Sequence, residues 1–287
     1  MEKITTIAFE KLILFEDDDI LVVSKPPGLV VTRTETIKDL TLQDMLAAYL
    51  QPKKWVKDWV SRVPVGFDET FGTPESVFAI REGIVHRLDK NTSGVLLVAK
   101  NPGSLVALLQ QFKQREVQKK YVCLTHGKFA VPKGSISAPI QRDAEKRQQF
   151  TIRPDGRPAQ TEYEVQQFWP HLHKDFLLEA MKNREVSIPG TVPKLLKRYQ
   201  GFSLVTCWPK TGRTHQIRVH MAFIKHPIVG DDTYSGKKRS TLDSAWCPRQ
   251  FLHAAAIEFQ HPATHKKMQF EAPLPADLSE VLLGLSD

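Results

Sequence analysis

The chain has 287 residues, 41% of them hydrophobic, with 40 Lys and Arg against 32 Asp and Glu and a formal net charge of +8. This composition can form a sizeable core, and the basic excess favours a polyanionic partner such as nucleic acid. No stretch approaches the roughly 20 apolar residues of a membrane span, no signal-peptide pattern opens the chain, and three scattered cysteines argue against a disulfide framework. We therefore expect a cytoplasmic protein without membrane contact.

The N-terminal part predicts a β-hairpin, a loop and a helix. Two apolar runs around an aspartate-rich turn form the hairpin at 13–23, and the Lys-Pro-Pro-Gly sequence at 25–28 ends it, since proline removes backbone donors. Thr41 and Asp44 have the spacing of a capping box, and the apolar residues after them share one helical face. Residues 51–80, rich in proline and glycine, are interpreted as a long irregular excursion.

The rest of the chain predicts more strands than helices. A second excursion, at about 170–200, is charged and partly helical. Because strands often follow one another directly, we expect an α+β fold with a mixed, largely antiparallel central sheet and peripheral helices, in a single domain over residues 1–287. Strands are expected at 94–100, 120–124, 135–140, 161–168, 202–208, 251–259 and 267–271, and helices at 104–115, 214–224 and 278–285.

One polar stretch between two apolar runs is the first candidate for chemistry. It reads His-Arg-Leu-Asp-Lys-Asn-Thr-Ser-Gly over residues 86–94. Core strands rarely hold so many polar groups, because each needs a buried partner. A rigid cleft floor that presents Asp89 would explain them, and Arg87 would lie on the same side if the stretch is a strand. A polar turn in which Asp89 and Asn91 bond to local backbone would explain them equally well.

A second basic cluster follows a glycine turn. Arg213 and Arg218 lie near the start of a predicted helix, where anions are favoured. An arginine that reaches Asp89 would orient it and lower its pKa, whereas arginines that contact phosphate or face solvent are the alternative. His215 and His220 lack the i, i+4 spacing of a helical zinc pair and no cysteine lies near, so we expect structural histidines and no metal site.

Nucleotide-binding motifs are missing from the sequence. Residues 230–237 resemble a phosphate-binding loop only superficially, because five residues separate the glycines and Lys238 stands where Ser or Thr must bind magnesium. No G-x-G-x-x-G or G-x-S-x-G pattern occurs. We therefore expect no nucleotide cofactor and no serine-hydrolase chemistry.

These motifs, in this order, resemble those of the RluA-type RNA pseudouridine synthases. Residues 86–94 match the H-R-L-D-x-x-T-S-G signature of that family, and residues 25–28 resemble its K-P-x-G sequence. The resemblance covers the chain from about residue 12 to residue 273 and implies the pseudouridine synthase catalytic fold. Further similar segments lie at 119–121 (K-x-Y), 212–220 (the third motif), 226–231 and 251–254.

The resemblance also implies roles for individual residues. Asp89 would be the catalytic carboxylate, attacking either the base or the sugar, while Tyr121 would stack on the uracil and help to remove its C5 proton. Arg218 would orient Asp89. The isomerisation needs neither redox change nor group transfer, so we expect no cofactor. Residues expected to contact RNA are His86, Arg87, Arg213 and Lys25.

Three features depart from the family pattern. Ser235 is an extra residue in the G-D-x-x-Y-G segment, the excursions at 51–80 and 170–200 look long, and no S4-like domain is expected, because the residues before Lys25 already match the catalytic domain. Recognition of RNA would then fall to the catalytic domain and its excursions. We expect a monomer that acts on tRNA or rRNA, with tRNA favoured.

Two other classes of function stay open. A non-catalytic RNA-binding or assembly factor on the same fold would use the basic charge and Trp55 and Trp59 beside Lys53, Lys54 and Lys57, although two tryptophans at this spacing more often form a packed face. A glycosidase would pair Asp89 with a second carboxylate, and no second acid lies in a comparable motif.

Overall fold

The computed structural model describes residues 9–35, 38–51, 54–186, 188 and 191–287. The chain divides into two compact units. Unit 1 comprises Met1–Lys119 and Ala254–Pro273, and unit 2 comprises Lys120–His253 and Leu274–Asp287. The single catalytic domain expected over residues 1–287 stays a prediction.

The described residues form strands and helices in the following chain order. The strands are β1 (Ile13–Glu16), β2 (Ile20–Lys25), β3 (Ser93–Ala99), β4 (Gln118–His126), β5 (Lys133–Ser137), β6 (Ile140–Arg142), β7 (Phe150–Ile152), β8 (Gln160–Trp169), β9 (His171–Leu172), β10 (Phe202–Pro209), β11 (Leu252–Gln260), β12 (Lys267–Glu271) and β13 (Leu285–Ser286). The α-helices are α1 (Leu42–Leu50), α2 (Pro74–Arg81), α3 (Pro102–Gln114), α4 (Lys174–Asn183), α5 (Val192–Leu196), α6 (Gln216–Phe223), α7 (Lys237–Asp243) and α8 (Ala276–Leu283). Short 3₁₀ helices lie at Trp59–Arg62 and Glu69–Phe71.

Unit 1 is built on strands in the order β1-β2-β3-β11, with β12 beside β11. The pairs β1–β2, β2–β3 and β11–β12 are antiparallel. Every residue of β3 is buried, which requires cover on both faces of the sheet. Helix α1 begins at the predicted capping box, in which the Thr41 hydroxyl accepts the Asp44 amide and the Asp44 carboxylate accepts the Thr41 amide.

A buried carboxylate fixes the turn between β1 and β2. Asp19 accepts hydrogen bonds from Asn101 (2.9 Å), Ser104 (2.8 Å) and Arg62 (3.0 Å). Burial alone would raise the pKa of Asp19, but these donors outweigh the desolvation and lower it. Asp19 therefore links this turn to the start of α3 and to the 3₁₀ helix Trp59–Arg62.

Gly94, the last residue of the 86–94 signature, lies where two backbones approach closely. Its φ is +117°, and a Cβ atom built on it would stand 2.1 Å from the carbonyl oxygen of Ala254 in β11. No other residue fits that space or adopts that backbone conformation readily. The glycine of the signature is thus required by the passage of β3 beside β11.

Unit 2 has strands in the order β4-β10-β8-β5, and its described pairs are antiparallel. Its hydrophobic core collects residues from these strands and from α4, α5, α6, α7 and α8. The two short pairs β6–β7 and β9–β13 complete the unit. The two units together show the α+β fold with a largely antiparallel sheet that the sequence predicts.

The segment 170–200 is anchored in unit 2. Leu177 and Leu195 are at most 1% exposed within the core. At its end, the Tyr199 hydroxyl donates to the buried Asp243 carboxylate at 3.0 Å, and His126 lies 2.8 Å from the same carboxylate. Burial raises the pKa of Tyr199, so this hydroxyl stays protonated and remains a donor. The described residues of the excursion, 170–186, 188 and 191–200, thus pack into unit 2 on one side and are exposed on the other.

Two predicted boundaries are wrong. The excursion at 51–80 ends in a regular helix, α2, because Thr73 caps it and Pro74 occupies its first position, where the missing amide costs nothing. The helix expected from Thr214 begins at Gln216, because His215 adopts a left-handed conformation with φ of 55°.

Within the described residues, no helix is both long and apolar enough to cross a membrane.

Candidate active site

Asp89 lies on an irregular segment of unit 1 that runs into β3. Ile84 pairs with Val98 in an antiparallel bridge, and residues 85–92 then form no regular structure. The Thr92 amide donates to the Asp89 carbonyl oxygen at 3.1 Å, which closes a turn that begins at Asp89. Asp89 is half-buried and Arg87 is exposed. Because the segment is not a strand, the alternation of side chains that would place Arg87 on the same side as Asp89 does not apply. The contact of Arg87 with RNA stays a prediction.

Lys25 supports the backbone of the Asp89 turn, and its expected contact with RNA stays a prediction. Its side chain is only 1% exposed, and its ammonium donates to the carbonyl oxygens of Pro26 (2.7 Å), Leu29 (2.9 Å) and Lys90 (3.0 Å). An ammonium has three donors, and three carbonyl oxygens accept from this one. The Gly28 amide also donates to the Lys90 carbonyl at 2.9 Å. The residues 25–28 therefore hold the backbone next to Asp89.

His86 holds the same segment against β3. The Leu97 amide donates to its Nε2 at 2.9 Å, and its ring stacks on Phe112 with centroids 5.0 Å apart. Burial, together with the charge of Lys119, lowers the pKa of His86 to about 3, so the ring is neutral at physiological pH. Burial likewise lowers the pKa of Lys119 to about 8. His86 therefore has a structural role, and its contact with RNA stays a prediction.

Arg218 is a buried cation of unit 2 that is held by a bidentate ion pair. It lies in α6, is 5% exposed, and donates from Nε and Nη2 to the two carboxylate oxygens of Asp231 at 2.7 and 2.9 Å. Nη2 also donates to the Thr233 hydroxyl at 3.0 Å, and the guanidinium lies 5.1 Å from the centre of the Tyr234 ring. A bidentate pair of this kind fixes the plane of the guanidinium as well as its position.

Asp231, the carboxylate partner of Arg218, is not among the site residues predicted from the sequence. It lies in the Gly-Asp-Asp-Thr-Tyr-Ser sequence at 230–235, which is similar to a family segment and contains the extra Ser235. Asp231 is fully buried, and the amides of Thr233 and Tyr234 donate to it at 2.9 and 3.0 Å. The hydroxyl of Ser235 donates to the Asp231 carbonyl at 2.5 Å, so the extra residue is bonded within the loop whose Asp231 holds Arg218.

The other polar residues around α6 have local partners. Arg213 is partly exposed and donates from Nε to the Pro158 carbonyl at 3.1 Å. His215 lies 2.8 Å from the Tyr234 hydroxyl, and His220 bonds to the Thr161 hydroxyl and the Ala138 carbonyl. Both are the structural histidines that the sequence predicts. The described side chains include no cluster of three or more His, Cys, Asp or Glu that could hold a metal ion.

The predicted catalytic residues come from both units. Asp89 belongs to unit 1, and Tyr121 and Arg218 belong to unit 2. Tyr121 is half-buried in β4, opposite Cys207 of β10. Its predicted stacking on uracil stays a prediction, as does the pairing of Arg218 with Asp89.

A family model for RNA pseudouridylate synthase matches residues 19–223. The match includes Asp89, Tyr121 and Arg218 and ends before the loop that contains Asp231. The chain belongs to the RNA pseudouridylate synthase family. It is an RluA-type RNA pseudouridine synthase, an isomerase, and RNA is its substrate.

Relatives of this synthase extend over nearly the whole chain. An uncharacterized RNA pseudouridine synthase of Bacillus subtilis is 35% identical over 273 residues, which are 95% of this chain and 72% of the relative. The ribosomal large subunit pseudouridine synthase D of Xanthomonas campestris is 33% identical over 283 residues, 96% of this chain and 69% of the relative. The solved human RNA pseudouridylate synthase domain containing 4 shares the fold, with a TM-score of 0.63 at 21% identity, covering 98% of this chain and 95% of its own.

Proposed function

We propose that this synthase converts uridine to pseudouridine in RNA of the large ribosomal subunit, with Asp89 as its catalytic carboxylate. The observation that carries the proposal is the 86–94 signature, whose Asp89 turn is held by Lys25 and Gly28 through the Lys90 carbonyl. The choice of ribosomal RNA over the tRNA favoured by the sequence rests on relatives named ribosomal large subunit pseudouridine synthase D.

The reaction requires few catalytic groups. The bond between C1′ of the ribose and N1 of uracil breaks, the base rotates, and a bond between C1′ and C5 forms. C5 then loses its proton and N1 gains one, so no oxidant, reductant or transferred group is needed. A carboxylate such as Asp89 fits a nucleophilic role toward either the base or the sugar, and both routes stay open.

Arg218 is suited to act on Asp89 because its guanidinium is already oriented. Asp231 binds one edge of the guanidinium, and Thr233 and Tyr234 limit its movement. We propose that the arginine so held pairs with Asp89 and keeps it ionised. Tyr121 is proposed to stack on the uracil and to assist removal of the C5 proton, and Arg87 and Arg213 to contact the RNA.

The substitution Asp89→Asn tests the proposed nucleophile. We expect pseudouridine formation to fall below detection, because the amide is neither ionised nor nucleophilic, while RNA affinity stays within about one order of magnitude, since phosphate contacts dominate binding. Pseudouridine is measured by mass spectrometry of digested RNA and affinity by filter binding. Asp39→Asn, at an exposed position of unit 1, is the matched control.

Three results would contradict these assignments. Substantial turnover by the Asp89→Asn protein would remove Asp89 from the nucleophile role. A parent protein that binds RNA and forms no pseudouridine would favour the non-catalytic RNA-binding factor, and release of free uracil would favour a glycosidase.

The RNA substrate is tested by pseudouridine mapping of total RNA from cells with and without the gene. We expect at least one pseudouridine of the large-subunit RNA to disappear when the gene is removed. Loss confined to tRNA would overturn the ribosomal assignment and restore the substrate that the sequence favoured.

A further inference from the structure

Unit 1 contains an aromatic pocket that the proposed chemistry does not use. Its volume is about 560 Å³, and it lies in the 51–80 excursion, between the end of α1 and helix α2. The residues that give it chemical character are Trp55, Trp59, Phe78, Lys54, Lys57 and Glu82.

The rings of the pocket leave part of the Trp55 indole accessible. Trp59 and Phe78 meet Trp55 edge to face, at centroid distances of 6.0 and 5.5 Å and interplanar angles of 76° and 74°. Neither ring lies parallel to the indole, so neither covers it by stacking, and Trp55 is 41% exposed while Phe78 is 5% exposed. The arrangement holds the indole in place and presents part of it to solvent. Trp55 and Trp59 therefore contact each other as expected for a packed face, but part of the Trp55 indole stays exposed.

The pocket has a rigid base. Arg62, at the end of the 3₁₀ helix that begins with Trp59, binds the buried Asp19 at 3.0 Å. Gly103 in α3 approaches the same helix so closely that a Cβ atom there would stand 2.0 Å from the Trp59 carbonyl oxygen. An aromatic platform fixed before binding loses little conformational entropy when a ligand stacks on it.

The charges around the rings fit a nucleotide. Lys54 and Lys57 are exposed beside Trp55, where ammonium groups can contact phosphates. Glu82 is largely buried, with a side chain 15% exposed and 4.0 Å from Arg33, and its carboxylate can accept a hydrogen bond from a base amino group. Aromatic rings that stack on bases, together with cations that follow the backbone, are the usual elements of a single-strand binding site.

We propose that this pocket binds a single-stranded nucleotide of the RNA substrate, with its base stacked on Trp55 and its flanking phosphates at Lys54 and Lys57. The inference rests on the proposed function only in that the RNA concerned is the synthase's substrate. The site acts in binding and not in the isomerisation, so it extends recognition to RNA outside the modified uridine.

The test uses the full chain and a labelled ten-nucleotide oligoadenylate. This probe contains no uridine, so a stacked target uracil cannot contribute to its binding. Trp55→Ala should weaken binding about fivefold or more, the loss expected for one stacked base, while Trp55→Phe should stay within about threefold of the parent. Thermal unfolding of both variants shows that the fold is retained.

The lysines are tested through the salt dependence of the same binding. Lys54→Gln with Lys57→Gln should lower the slope of log affinity against log salt by about 1.4, because each phosphate contact to a single strand contributes about 0.7. Lys11→Gln with Lys266→Gln, which alters two exposed lysines of unit 1 outside the pocket, should leave the slope unchanged.

The outcomes distinguish failure of the nucleotide site from failure of the proposed function. Failure of the parent to bind oligoadenylate, or parental affinity in the Trp55→Ala protein, overturns the nucleotide site whatever the catalytic result. Asp89→Asn should bind the probe as the parent does. If the parent forms no pseudouridine and Trp55→Ala still weakens binding, the proposed function fails and the nucleotide site stands.

Discussion

Lys25 and Arg218 are both buried cations, but their surroundings give them different roles. Lys25 donates to three backbone carbonyls, so it fixes chain conformation beside Asp89. Arg218 binds a carboxylate with one edge of a planar group, which fixes the direction of the remaining guanidinium. Replacement of Arg218 leaves the buried Asp231 charge without this partner. Replacement of Lys25 leaves three carbonyl oxygens without its ammonium as donor, so both positions are sensitive to substitution.

Arg218→Lys should lower pseudouridine formation by at least about tenfold, because lysine cannot reproduce a bidentate contact with Asp231. Arg213→Lys should have a modest effect, since Arg213 is partly exposed and donates from Nε to one backbone carbonyl. The kcat of both variants is measured together with their thermal midpoints, which separate loss of orientation from loss of folding. A severe effect at Arg213 beside a modest one at Arg218 would reverse the assignment of the orienting arginine.

His86 should make unit 1 less stable in mild acid. Its folded pKa of about 3 lies below the unfolded value of about 6.5, so below pH 6.5 the unfolded chain binds a proton that the folded chain does not. The stabilisation is complete above pH 6.5 and is lost progressively as pH falls toward 3. Between pH 7 and pH 5 the loss from this group is at most about 2 kcal/mol.

The measurement is denaturant unfolding at pH 7 and pH 5. His86→Gln keeps an acceptor for the Leu97 amide and removes the titration, so its free energy of unfolding should fall less than that of the parent. His265→Asn is the control, because His265 is exposed and asparagine tolerates its left-handed backbone. An equal fall in the parent and in His86→Gln would refute the role of His86.

At the scale of elements, the passage of β3 beside β11 depends on Gly94. Gly94→Ala should destabilise the protein by more than about 3 kcal/mol, because its Cβ would meet the backbone of Ala254 and its φ is unfavourable. Gly28→Ala is the matched control, since its φ is +82° but a Cβ there meets nothing within 4 Å. Its cost should be about 1 kcal/mol. Similar losses at the two positions in urea unfolding would contradict the close approach.

The elements that the sequence predicted well carry local signals. The hairpin at 13–23, helix α1 with its capping box and strand β12 follow from periodicity, turn residues and caps within a few positions. Helix α2 was missed because its proline and neighbouring glycine suggest a loop unless the Thr73 cap is recognised. The short strands β6, β7, β9 and β13 were missed because two or three residues carry no periodicity.

The candidate site could be predicted only where a motif specifies a residue. The signature at 86–94 identifies Asp89, but no sequence pattern shows whether a lysine such as Lys25 points outward or donates to carbonyls. The Asp231 partner of Arg218 lies 13 positions away, across a turn whose geometry depends on tertiary structure. Buried polar partnerships of this kind follow from packing, and a single sequence does not specify them.

Part of the basic excess of the protein lies on the exposed face of the 170–200 segment. The inner residues of this segment lie in the core of unit 2, and its basic residues are exposed. A folded segment that presents charge can select an RNA by position as well as by attraction. The exposed basic residues are Lys174, Lys182, Arg184, Lys194, Lys197 and Arg198.

Replacement of these six residues by glutamine removes six charges from a net charge of +8 and should leave the fold intact, because all six are exposed. We expect activity on the natural RNA to fall about tenfold or more, while a minimal stem-loop around the same uridine is modified at nearly the parental rate. The control variant replaces six exposed basic residues of unit 1: Lys11, Lys38, Lys113, Arg115, Lys266 and Lys267. Parental rates on both RNAs would show that the segment takes no part in recognition.

The division of the chain has a consequence for how the protein is made. Unit 1 needs residues Ala254–Pro273, and unit 2 needs Leu274–Asp287, which supplies Leu278 and Val281 to its core. A nascent chain therefore exposes the unfinished edge of β3 while more than 130 further residues are translated. We expect each unit to close only after its last segment has left the ribosome, and the incomplete chain to be open to aggregation or to chaperones until then.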